Sequence, residues 1–381
     1  MTVRKILLKL VFLLVLLFLL VAIIHAVENW RGERAWQKYA NATRSRGAKV
    51  YVTEFQAPEV PPEQNFAAIP VFEKAFAGAD AGELPSDALA FPKGGTPPAR
   101  GNPVKGEKIN LEAWRDYFLK VGLLDTAGEN ASSDVLRALE KYEPIFQQLR
   151  EAGKRPSSRF PVKWELGFET PSPHIGLINQ AGHMYALRMS AFLAQGSSAA
   201  AYAEFQQGLR LHRAQEQEPT LFSGLIRQVL LSSLLQPVWE GIAEKQWADA
   251  ELRALAADLA SLRIIDDLRF SFDSERGSLN TQMDRFGKMS FSNLTGTIAV
   301  VSGGASSGRD KAIALLLFAG YPRGWFRQNQ VLMNDIYDSN LKRIDKIEAA
   351  GVASAPKDDR VESLQKSSLP RRWYYMLTSI I

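Results

Sequence analysis

Fifteen apolar residues without a break, Leu10 to Ile24, constrain this chain more than any other feature. Counted from Ile6 to Val27, the stretch would extend about 33 Å as a helix, enough to cross a hydrocarbon core of ~30 Å. A cleaved signal peptide has a shorter apolar core and small residues at its cleavage site. Here Ile24-His25-Ala26 puts a bulky side chain where a small one is favoured. Lys9 can snorkel to the headgroups, and Trp30 and Trp36 suit the lipid–water interface. The segment is therefore read as a retained, single-pass transmembrane anchor. Arg4, Lys5 and Lys9 favour a cytoplasmic N-terminus, although Arg31, Arg34, Lys38, Arg44 and Arg46 crowd the other flank. The expectation is a protein of the cytoplasmic (inner) membrane whose C-terminal body is periplasmic or extracytoplasmic.

The remaining residues read as an ordinary globular chain. Charged residues make up 23% and hydrophobic ones 46%. The formal charge of +5 is small for a nucleic-acid binder, and no basic patch is interleaved with aromatics. The expected partners are the lipid bilayer and another protein, with no nucleic acid and no nucleotide. Cysteine is absent, which excludes disulfides, thiolate metal sites and a cysteine nucleophile.

Three divisions follow from the pattern. Residues 1–47 form the anchor and a juxtamembrane helix stopped at Gly47. Residues 48–108 begin with a short extended piece, "AKVYVTEF". A helix in "PPEQNFAAIPVFEKAFAG" follows, and then a Gly/Pro-rich surface linker or long loop over 78–108. Residues 109–381 form an all-α domain. Asn110 is placed to cap "LEAWRDYFLKVG", and Pro144 interrupts "SSDVLRALEKYEPIFQQLREAG". "NQAGHMYALRMSAFLAQG" and "SSAAAYAEFQQGLRLHRAQEQE" turn at Gly196-Ser197 into an antiparallel helical hairpin. Gly182, Tyr185, Met189 and Phe192 share one face, and Tyr202, Phe205, Leu209 and His212 share another. "LFSGLIRQVLLSSLLQPVWEGIAEKQ" is apolar nearly all round and reads as a central buried helix. Leu252, Leu255, Leu259 and Leu262 give a further inward stripe, and helices are expected near 264–286, 309–319 and 324–349.

Few residues gather into patterns that carry chemistry. Gly303-x-x-x-x-Gly308 has the punctuation of a phosphate loop, but Arg309 and Asp310 stand where that loop needs Lys and Ser or Thr. It is read as a plain Gly/Ser loop. The histidines, His25, His174, His183 and His212, form no recognised ligand pair, so no metal and no cofactor is expected. His212 reads as a core histidine with one hydrogen bond. Asp266, Asp267, Asp273 and Glu275 could act as paired carboxylates if their environments drove their pKa values apart. Their spacing from Arg263, Arg269 and Arg276 instead predicts an ion-pair lattice on a solvated helix face. Gln328, Asn329 and Gln330 could order a buried polar network or face water. Arg210, on the outer face of the hairpin, is a candidate contact for a partner.

Two resemblances rest on particular stretches. The order of Phe192, Gly196, Ala201, Phe205 and Gly208 is similar to one tetratricopeptide-type repeat, although no second copy stands at the expected period. "NWRGERAWQKY", "PPEQNFAAIPVF" and "GWFRQNQ" together resemble a group of uncharacterised single-pass membrane proteins of Planctomycetes and Verrucomicrobia. That resemblance implies an extracytoplasmic helical body and brings no catalytic residue. Its members continue into a further C-terminal segment, so the stop in "RRWYYMLTSII" raises the expectation of a shortened reading frame. The leading functional reading is a membrane-anchored helical interaction or scaffold protein, TPR-like in its hairpin. The alternative is an extracytoplasmic enzyme, a hydrolase working through the 266–275 carboxylates.

Overall fold

The computed structural model describes residues 3–80, 88–290 and 320–350, with isolated positions between 292 and 315. The Gly303 loop, apart from Gly308 and Arg309, lies outside the described residues, as do most of the helix expected near 309–319 and the C-terminal "RRWYYMLTSII". Among the described residues the chain is mostly helical and has no strand, only isolated bridges at Asn65–Ser157 and Asn102–Glu107.

Helix α1 (Val3–Ser45) is continuous for 43 residues. The large apolar side chains from Ile6 to Val27 are exposed by 40% or more. By length and composition it can cross a membrane. The chain then folds into two compact units. The first comprises Met1–Glu54, Trp164–Phe168 and Phe272–Ile381, and the second Phe55–Lys163 and Glu169–Ser271.

In the second unit come α2 (Pro70–Asp80), α3 (Leu111–Lys120), α4 (Ala131–Leu139), α5 (Glu143–Ala152), α6 (Pro173–Ala194), α7 (Ser198–Ala214), α8 (Leu221–Ala243) and α9 (Asp249–Ala260). Asn110 caps α3 by accepting from Ala113 N, and Pro144 opens α5 rather than merely breaking its predecessor. The hairpin α6–α7 forms at Gly196 as its pattern predicts. Phe205, Tyr185 and Met189 are fully buried at its heart, and Leu255 of α9 closes over it. Burying such side chains stabilises by about 1.5–3 kcal/mol each.

Several local expectations change. "VTEF" is a 3-10 turn rather than extended chain, and α2 starts at Pro70, one proline later than expected. Helix α8 is not buried all round, because Phe222, Leu225, Val229 and Ile242 face solvent. The segment after residue 88 is a long loop held against the body. Leu89 is buried, the Tyr142 hydroxyl donates to Ala90 O at 2.9 Å, and Phe91 packs edge-on against Trp114, Tyr117 and Phe118.

In the first unit the juxtamembrane half of α1 lies along α11 (Arg323–Ala350), with the second half of α10 (Ile264–Lys288) beside them. The crossing of α1 and α11 is possible because both helices carry glycine there. A Cβ on Gly32 would sit 2.0 Å from Gly324 O, and one on Gly324 2.0 Å from Glu28 O. Glu28 then accepts from Trp325 Nε1 at 3.0 Å and Gln328 Nε2 at 2.9 Å. Trp36, expected at the lipid interface, is instead buried with Ala40 and Val50, beneath the guanidinium of Arg327. Trp30 remains exposed.

Beside this small apolar cluster, the unit buries a polar network. Asn280 and Asn334 exchange amide hydrogen bonds at 2.6 and 3.1 Å. Gln330 Nε2 donates to Asn280 O, and Arg276 donates to Asp273, Lys49 O and the Tyr39 hydroxyl. Of Gln328, Asn329 and Gln330, the last two are buried in polar contacts, whereas Gln328 is half-buried and donates to Glu28.

Candidate functional site

The four acidic residues singled out above do not converge. Asp266 takes Arg263 at 2.5 Å and Arg269 at 3.0 Å, on a partly exposed face. Asp267, one residue on, turns inward to Arg227 of α8 at 2.9 Å, and that arginine is only 1% exposed. Asp273 belongs to Arg276 at 2.5 Å, and Glu275 lies near Tyr337 and helps push its hydroxyl pKa up to about 12, after the larger effect of burial. The ion-pair lattice thus exists in part. Two of its carboxylates serve buried arginines from the interior, which i,i+4 spacing alone does not reveal. Arg210 is half-buried, its aliphatic stem against Gly153 and its guanidinium 3.3 Å from Gln207 Oε1.

His174 and His212 are interior groups. His174 is stacked between Phe76 and Phe160 and meets Glu218 Oε1 at 2.5 Å. His212 is a core residue as expected, but the expected hydrogen bond is missing: neither ring nitrogen has a partner. Burial, followed by the charges of Arg227 and Arg213, lowers its pKa to about 3. Among the described residues no group of three or more His, Asp or Glu could hold a metal ion.

What does converge is a cleft over α6. One wall is the pinned segment from Leu89 to Arg100, and the floor is the stripe Pro173, Gly176, Leu177 and Gln180 of α6. It encloses about 450 Å³, within the usual range of ligand clefts. Phe91 and Arg100 also wall a second, smaller space of about 20 Å³, completed by Trp114 of α3, His183 and Leu187 of α6 and Ser233 of α8. That volume holds roughly one water. No residue lining either space is acidic, whereas Lys93 and Arg100 are cationic.

The sequence positions Arg100 through its neighbour. Gly101 has φ +78°, and a Cβ there would lie 2.3 Å from Gln236 Nε2 of α8. The chain can therefore press against α8, where Gln236 donates to Glu107 O at 3.0 Å and Ile109 N donates to Glu240 at 2.7 Å. Arg100 donates to Nε2 of His183, which burial and then the arginine's charge hold at a pKa of about 4. The imidazole is neutral at pH 7, so its proton sits on Nδ1. That nitrogen has no partner, and neither has Trp114 Nε1, whose side chain is 97% buried.

Sequence reasoning missed this site. Arg100 stands in a Gly/Pro-rich stretch that reads as linker, and His183 has no ligand spacing around it. The usable signal was "NPVKG", whose Asn102 accepts from Val104 N and Lys105 N in a compact capped turn rather than loose coil. Comparison with known proteins brings no match: no family model, no curated protein and no solved structure matches the chain.

Proposed function

We propose that this chain is a single-pass protein of the cytoplasmic membrane that holds a helical, extracytoplasmic interaction module and captures another protein through the α6–α8 face. The observation that carries the reading is the apolar stripe of α8. Phe222, Leu225 and Val229 are 58%, 55% and 46% exposed and fall at i, i+3 and i+7, on one side of the helix. A clustered apolar stripe of this kind marks an interaction surface more often than isolated apolar residues do. The same helix face continues to Ser233, on the wall of the small space. The stripe suits an extended or helical segment of a partner.

The anchor reading is supported by the exposed apolar turns of α1. The tetratricopeptide-like hairpin and the kinship with planctomycete and verrucomicrobial membrane proteins belong to the same proposal. A hydrolase acting through Asp266, Asp267, Asp273 and Glu275 has less to support it. Asp266, Asp267 and Asp273 are held in ion pairs, and none of the four lines the cleft.

The test is affinity capture from solubilised native membranes with the full chain and its Leu225→Glu variant. Loss of a specific partner from the variant, with helicity unchanged, is the expected result. An identical captured set from both proteins would count against this face.

A further inference from the structure

Helix α1 sets a scale for depth. Its exposed apolar turns end at Val27, so at ~1.5 Å per residue Asn29 stands about 3 Å beyond them and Glu33 about 9 Å. With α1 as the anchor, the headgroup layer beyond a ~30 Å hydrocarbon core is about 5–8 Å deep. Trp30, exposed and covered by the guanidinium of Arg34, falls inside that layer.

The first unit is pinned to α1 at this height. Gly324 N donates to Asn29 Oδ1 at 2.7 Å, and the glycine presses so closely on Glu28 O that no side chain fits between them. Arg323, next in the chain, is held at the same level with its side chain exposed. The last turn of α10 ends there too. Gly287 and Lys288 share a cleft of about 330 Å³ with Asn29, Arg323 and Phe326. Both acids of that cleft, Glu33 and Asp284, pair with Arg327. Lys288 and Arg323 have no acidic partner among the described residues, so two cations face one concave space without a counter-charge. The helix dipole explains Lys288 at the end of α10, but it disfavours Arg323 at the first position of α11. An anion between the two offsets that cost.

We propose that this cleft seats the phosphate of an anionic phospholipid from the bilayer that α1 crosses, with Arg323 and Lys288 as its counter-charges. The half-buried Phe326 offers apolar surface to the glycerol ester end. The assignment rests on the membrane-anchor part of the proposed function. It commits to a lipid rather than a free phosphate because the cleft opens at headgroup depth.

The experiment is native mass spectrometry of the full chain in detergent with dioleoylphosphatidylglycerol or dioleoylphosphatidylcholine. These lipids share acyl chains and phosphate and differ in net charge. One phosphatidylglycerol per chain is expected to bind about tenfold or more tightly than phosphatidylcholine, from roughly fivefold per cation. Arg323→Gln and Lys288→Gln should each lower that preference, and together abolish it with helicity unchanged. Arg323→Lys, which keeps the charge, should retain most of it. Arg34→Gln removes an exposed cation near the same end of the apolar stretch that does not line the cleft, and should leave the preference intact. Equal affinity for the two lipids, or an unchanged preference in the double variant, would overturn the proposal. A loss in Arg34→Gln as large as in the double variant would also overturn it, in favour of general surface attraction. Inorganic phosphate displacing the lipid at comparable concentration would overturn it in favour of a free-anion site. Release of the chain from membranes by carbonate alone would refute the anchor and this inference with it. A chain that needs detergent but shows no phosphatidylglycerol preference would sink this inference and leave the anchor and the α6–α8 face standing.

Discussion

Phe205 and Asn334 are both wholly buried, one in each unit, and their surroundings differ in kind. Phe205 sits among Ala201, Leu209, Leu230 and other members of a large apolar cluster. Asn334 sits among Asn280, Gln330 and Arg276, and each of its side-chain atoms is spoken for. Apolar contact is non-directional, so the second unit gains stability from area and tolerates small slips. Amide pairs satisfy one another in one register only, and a buried Asn is the best-attested device for fixing register between helices. The first unit contains the juxtamembrane half of α1. The Asn280–Asn334 pair fixes register between α10 and α11, and Arg276 ties it to α1 by donating to the Tyr39 hydroxyl.

Five substitutions break or sharpen this contrast. The largest effect is expected from Phe205→Ala, which leaves a cavity in the apolar core and should cost ~3–5 kcal/mol, read as a large drop in melting temperature. Asn334→Ala should cost less, ~1–3 kcal/mol, because it orphans the buried Asn280 amide. In a double-mutant cycle with Asn280→Ala the two should be strongly non-additive, since the partner removed with it no longer needs satisfying.

His212 is the polar exception inside the apolar unit, and its effect depends on pH. Its folded pKa of about 3 lies below the unfolded value of about 6.5. Between these values the unfolded chain binds a proton that the folded chain refuses. Stability is therefore full above pH ~6.5 and falls on acidification, by up to ~1.4 kcal/mol per pH unit. His212→Leu should flatten the stability profile between pH 6 and 4 without loss at pH 7, since no hydrogen bond is given up. Denaturant titrations at several pH values test this. Arg210→Ala should change stability least, by under ~1 kcal/mol, in the same assay.

The helical order was largely legible because apolar spacing, Asn110, Pro144 and Gly196 are local signals. The partners of the helices were not. Nothing in "NWRGERAWQKY" shows that Gly32 meets Gly324, since each glycine alone is unremarkable in sequence and only their juxtaposition permits the crossing. Trp36 was assigned to lipid for the same reason: an indole after a membrane span fits an interface and a protein core equally well. Helix α8 misled in the opposite direction. An all-round apolar helix suggests full burial, and what distinguishes Leu225 from Leu230 is the neighbour that covers only one of them. The cleft was illegible because its key residue, Arg100, is placed by the Gly101 turn against Gln236, a contact spanning well over a hundred residues.

The central claim is that the α6–α8 face is where a partner docks. A photo-crosslinking amino acid at position 225, in native membranes, tests it most directly, with the same probe at exposed position 141 as control. The account predicts a discrete crosslinked band from position 225, and none from position 141. A band from 141 with none from 225, or equal bands from both, would contradict it.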